Sequence, residues 1–275
     1  MLGALLVMSS CTSTIRHNFI IEIDNSRTIT ETTIENYILI IQRFIVMNMG
    51  RYDRITVQFI DECSLTKAER VFNLDLAEFE FTNQSDGKNN EGALTNARLR
   101  KFLADSIQFK LRRAILSKRA ERYDCGSFTD ITVALNEASK LVAHEKSYKD
   151  QSDKIFNSVV GNKNFEYENC IVILSDMVNE NRNKSLDFTL FGRYTPEQIN
   201  QKFQKFRELK QIPNLSGCKV LVFGATSTDT VGNANKQIQN CKLFWQNYFS
   251  ESGAELKGYG YDIRYELVDY ISGRN

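Results

Sequence analysis

Continuous apolar runs of strand length recur along this chain, at Phe19-Ile20-Ile21-Glu22-Ile23, Ile171-Val172-Ile173-Leu174-Ser175 and Cys218-Lys219-Val220-Leu221-Val222-Phe223-Gly224. Such runs, rich in β-branched residues, are the mark of parallel strands covered on both faces. Arg54-Ile55-Thr56-Val57-Gln58-Phe59-Ile60 alternates as a strand does, and residues 72–81 read as a further strand. Tyr259, Tyr261, Ile263, Tyr265 and Leu267 alternate with polar residues, the pattern of a strand buried on one face and expected at a sheet edge.

Between these runs the apolar period changes to that of a helix. Ile34, Tyr37, Ile38, Ile41, Phe44 and Ile45 predict a well-buried first helix, with Thr32 and Glu35 at capping-box spacing. Leu99, Leu103, Ile107, Leu111 and Ile115 stripe a long second helix whose other positions are strongly basic. That basic face could meet an acidic partner or lipid headgroups, although a solvated face is the commoner use. Ile131, Leu135, Ala138, Leu141 and Val142 predict a third helix, and Thr195-Pro196-Glu197 opens another with proline at its first position. A last helix carries Ile238, Cys241, Trp245 and Tyr248, with Trp245 expected in the core. Residues 82–92 and 149–169 read as polar loops, and 186–191 as a short strand in an added hairpin arm. Strands alternating with helices predict an α/β fold: a doubly wound, mostly parallel central sheet flanked by helices on both faces.

Length and composition add little that conflicts. At 275 residues, 42% hydrophobic and net charge +1, the chain has material for one large domain over residues 15–270. It carries two prolines and no Gly/Ser-rich linker. The charge balance gives no reason to expect a nucleic-acid partner.

The candidate chemistry lies where strands and turns hand over to loops. Asp24-Asn25-Ser26-Arg27-Thr28 follows the first strand, Asp176 follows the run ending at Ser175, and Thr129-Asp130 precedes a helix. In open α/β sheets ligands bind beyond the carboxyl ends of the strands, so these pieces can meet at one edge. Hydroxyls and carboxylates together make a hard oxygen site suited to magnesium. Taken alone, Thr129 or Asp130 would be a helix N-cap. The three pieces together resemble the metal-ion-dependent adhesion site of the von Willebrand factor A family, whose pattern is D-x-S-x-S, a later Thr and a later Asp. The resemblance extends by pattern over residues 15–270. It implies that Ser26, Thr28 and Thr129 contact Mg2+ (or Mn2+) through their hydroxyls while Asp24 and Asp176 act through water. It also implies a protein partner that offers an Asp or Glu carboxylate to the metal, and no catalysis. One departure is Thr28, which stands where Ser is usual but keeps the hydroxyl.

Residues 1–11, a short apolar run followed by small residues and Cys11, resemble a bacterial lipoprotein signal with Cys11 as the lipidated residue, although the usual positive n-region is missing. This implies a membrane-anchored protein of the cell envelope, or a cytoplasmic one if the run is only a buried segment. The other cysteines, Cys63, Cys125, Cys170, Cys218 and Cys241, lack metal-ligand spacing, which argues against zinc. In an envelope compartment some could pair, Cys170 with Cys218 for example, though buried free thiols are the commoner state.

Two alternatives follow from the same residues. Asp24-x-Ser26-x-Thr28 also resembles a degenerate first motif of the haloacid-dehalogenase-like phosphatases, with Ser26 at the position of the general acid, where it cannot serve as one at neutral pH. The third reading is a metal-free scaffold. His17 and His144 have no motif around them, and no glycine-rich dinucleotide fingerprint follows the first strand.

Overall fold

A computed structural model describes residues 15–49, 53–64, 70–75, 91–156, 166–180, 186–228 and 232–271. Ile15–Asp24 forms β1, in the interior of a six-stranded sheet. On one side of it lie β2 (Arg54–Ile60) and β3 (Phe72–Asp75); on the other lie β4 (Glu166–Leu174), β5 (Lys219–Phe223) and β6 (Glu255–Gly260). The order is β3-β2-β1-β4-β5-β6, parallel throughout except for the antiparallel β3 at one edge. The fold is therefore α/β and doubly wound.

The period of two divides the core cleanly. Phe19, Ile21 and Ile23, with Val57, Val172 and Leu174, face α1 (Glu31–Ile40), α2 (Glu91–Glu121) and α6 (Arg264–Ile271). Ile20, Ile171, Ile173, Val220 and Val222 face α3 (Ile131–Phe156), α4 (Pro196–Glu208) and α5 (Ala234–Glu251). Burying both faces explains why β1, β4 and β5 read as unbroken apolar runs.

Several expectations need correction. The cap of α1 is Thr30, whose hydroxyl accepts from the Thr33 N–H; Glu35 is drawn instead to Arg112 of α2 at 2.6 Å. The supposed loop 149–169 holds the end of α3 and the start of β4. Residues 186–191 form a turn running into a 3-10 turn at Phe191–Arg193, not a strand. Their apolar residues are anchors for a loop: Phe188 and Phe191 stack on each other at 4.0 Å, both meet Phe244 of α5 edge-on, and Phe188 also meets Trp245. Side-chain amides from α5 satisfy the loop backbone, Gln237 donating to the Phe188 carbonyl and Asn240 to the Phe191 carbonyl. Finally, the alternating segment from Tyr259 is strand only as far as Gly260. Ile263, Leu267, Tyr270 and Ile271 are buried at helical spacing in and before α6, while Tyr261 and Tyr265 are exposed. The strand β6 is the edge strand, as expected. Residues 1–14, including Cys11, and 76–90 lie outside the described residues.

Candidate metal centre

Because β1 pairs with β2 on one side and β4 on the other, the strand order reverses at the β1/β4 pair. That is where an open α/β sheet has its crevice. The register Ile23↔Leu174 sets Asp24 level with Ser175, and Ser175 Oγ donates to Asp24 Oδ2 at 2.9 Å. The other carboxylate oxygen accepts from the Ser26 N–H at 2.9 Å, closing the turn that follows β1. In that turn the Ser26 and Thr28 hydroxyls lie 2.9 Å apart, Ser26 buried and Thr28 open to solvent.

After β4 the chain turns sharply. Met177 has φ +66°, a left-handed conformation uncommon for a side chain of its size. Its N–H donates to Ser175 Oγ and its carbonyl accepts from the Trp245 indole at 3.0 Å, so the turn is held from both sides. Trp245 is fully buried, as expected, and steadies the loop that carries Asp176. Asp176 Oδ1 accepts from the Val178 N–H at 2.8 Å.

The second loop is tied to both of the others. The Arg27 N–H donates to the Gly126 carbonyl at 2.8 Å, and the Glu180 N–H to the Thr129 carbonyl at 2.8 Å. A side chain on Gly126 would start only 3.0 Å from the Asn25 carbonyl, so any larger residue would need the first loop to give by a few tenths of an ångström. Asp130 does act as a helix cap, accepting from the Thr132 hydroxyl and the Val133 N–H. Thr129 is buried, and no other described residue bonds its hydroxyl.

Asp24, Ser26, Thr28 and Asp176 are thus gathered at the carboxyl ends of β1 and β4, with the Thr129 loop pinned between them. No protein-family model matches this chain, and no curated protein does. The chemistry therefore rests on this chain's own residues.

Asp24 is buried, which pushes its carboxyl above the ordinary range; bonds from Ser26 and Ser175 and the charge of Arg119 pull the other way. Asp176 is pushed up to about 7, first by burial and then by the charge of Asp24. A buried carboxylate beside a half-buried one opposes the ionisation of its neighbour. The Tyr37 hydroxyl, raised by burial and then by both aspartates, borders the same space. Among the described residues no three His, Cys, Asp or Glu side chains gather as a metal set. The donors here are two carboxylates with hydroxyls beside them, an all-oxygen set that fits a hard divalent cation better than a soft one.

Sequence reasoning missed the supports of this site. Ser175 could have been noticed only by aligning the ends of β1 and β4. Asp61, fully buried after β2, accepts from Asn25 at 3.1 Å and pairs with buried Arg122 at 2.6 Å. Two residues on, Cys63 is disulfide-bonded to Cys125, joining the turn after β2 to the second loop. Cys170, Cys218 and Cys241 are buried free thiols.

Proposed function

We propose that this chain is a non-enzymatic, metal-dependent protein-binding module of the von Willebrand factor A type, held on a bacterial envelope membrane through a lipid on Cys11. The observation that carries the reading is the placement of buried Asp24 and half-buried Asp176 together beside the touching Ser26 and Thr28 hydroxyls, at the reversal point of the sheet. Without a cation this arrangement costs free energy, because burial raises both carboxyls and the charge of Asp24 raises Asp176 further. Ser26, Thr28 and Thr129 would hold magnesium or manganese through their hydroxyls, with Asp24 and Asp176 acting through water. When bound, the ion supplies an unfilled coordination position to a partner's Asp or Glu. Asp24 and Ser175 fix the first loop, and the Met177 turn fixes Asp176.

Binding is favoured over phosphoryl transfer because Ser26 sits where that chemistry needs an acid, which a serine cannot be at neutral pH. The Cys63–Cys125 disulfide supports the envelope assignment, since such bonds persist in oxidising compartments. Among the described residues no helix is long and apolar enough to cross a membrane, so on this reading the lipid is the attachment.

Calorimetric titration with magnesium and with manganese tests the metal. The wild-type chain is expected to show saturable binding to one site, and Asp24→Ala to lose it while keeping its circular dichroism. A variant that binds like wild type would sink the assignment. For the anchor, Cys11→Ser is expected to move the protein from the membrane fraction to the soluble one; unchanged fractionation would refute it.

A further inference from the structure

Beside the candidate metal centre a groove of about 580 Å³ runs between α1 and the loops that follow β5 and β6. Thr28 and Asp176 form one end of it, so it opens directly onto the metal site. Its wall along α1 is built from Thr33, Tyr37, Ile40 and Arg43, a single helical face continued into the π-helical turn Ile41–Ile45. Phe223 and Ile29 add apolar surface, and Tyr261, exposed, stands on the rim. The far end is basic: Arg43 is exposed and has no acidic partner among the described residues, whereas Arg264 is already paired with Asp262.

We infer that this groove receives the partner segment whose carboxylate reaches the metal, and that the segment carries a second carboxylate for Arg43 with an apolar residue between the two. The inference rests on the metal-dependent reading above and adds the sequence class of the partner. Length sets the spacing. From Thr33 to Arg43 a helical rise covers about 15 Å, which an extended peptide spans in about four or five residues. The lining is mixed, but Tyr37, Ile40 and Phe223 put apolar atoms between its ends, and with an aromatic on the rim they suit one large aliphatic or aromatic side chain. A free arginine at the far end rewards an acid there and rejects a base.

The test is fluorescence anisotropy with the full chain and a series of labelled synthetic peptides. Each has one fixed Asp, a leucine in the middle, and a Glu moved stepwise away from the Asp; a peptide with only the Asp is the control. Calorimetry with magnesium alone is run beside it. The expected result is a peak in affinity at a separation of about four or five residues, present with magnesium and lost with EDTA. Arg43→Glu should weaken the best peptide about tenfold, leave the one-acid control unchanged and leave magnesium affinity intact. No preference for separation, or an equal loss for both peptides in Arg43→Glu, overturns the groove even if magnesium binds. The same spacing preference in EDTA, abolished by Arg43→Glu, keeps the groove as an acidic-peptide site and overturns the metal reading on which its register was based.

Discussion

At the scale of single residues, Asp176 couples the site to folding. Its carboxyl sits at about 7 in the folded chain against an ordinary 3.8. Between those values the folded state keeps a proton that the unfolded state has released, so stability falls as pH rises through the window. Asp176→Asn removes that loss. In EDTA the variant is expected to melt at a higher temperature than wild type above about pH 8, and at the same temperature near pH ~4. Added magnesium should raise the wild-type midpoint and leave the variant where it was. Coincident melting curves across pH would show that the two carboxylates do not oppose each other. Glu22 poses a related problem on the same strand. It is 1% exposed, neither carboxylate oxygen has a hydrogen-bond partner among the described residues, and burial, then Glu137 of α3, holds its pKa well above 4.5. Since its raised pKa also makes stability fall with rising pH, Glu22→Gln should raise the urea midpoint at neutral pH and leave it unchanged well below pH ~4.5. An equal shift at both pH values would assign the effect to packing instead. Asp24 and Asp176 were legible because each follows an apolar strand. Ser175 and Tyr37 were not, because what they do depends on register and on a neighbouring helix.

At the scale of elements, the Cys63–Cys125 bridge closes a separation of 62 residues. A loop of that length is worth up to about 4 kcal/mol through restriction of the unfolded chain. Replacing both cysteines with serine should lower stability by about that amount. Because Cys125 adjoins Gly126, whose carbonyl holds the first loop, the variant should also bind magnesium more weakly. Chemical denaturation and calorimetry on the same sample would check both; an unchanged metal affinity would mean that the Asp61–Arg122 pair fixes the loops without help. The elements themselves were readable wherever one physical cause dominated. Burial on two faces made β1, β4 and β5 plain. Proline at its first position made the start of α4 plain, and the structure adds a capping box of Thr195 and Gln198 around it. Reading failed where two periods overlap. Tyr261, Ile263 and Tyr265 alternate, yet the buried set Ile263, Leu267, Tyr270 is helical, and two exposed tyrosines had imitated a strand's inner face. The 186–191 loop misled for another reason. Its aromatics look outward from the backbone to a helix about 50 residues later in sequence, and the amides that satisfy its carbonyls belong to that helix.

For the molecule as a whole, the sheet order was legible in kind but not in detail. Nothing local told that β3 would run antiparallel, or that the Asp61 network would lie under the first loop. The pairing of β1 with β4 has a further consequence in time. Ile15 pairs with Glu166 and Ile23 with Leu174, so a strand near the start of the chain waits about 150 residues for its partner. Pairings this distant close slowly. A chain emerging from the ribosome would complete β1, β2 and α1 while the other border of β1 is still unpaired, a surface that invites pairing with other chains. Asp24 would then have neither Ser175 nor Asp176 beside it. Ligand binding would accordingly report on the arrival of β4, and a nascent chain stopped before β4 would expose a sticky border while lacking any means of recognising its partner.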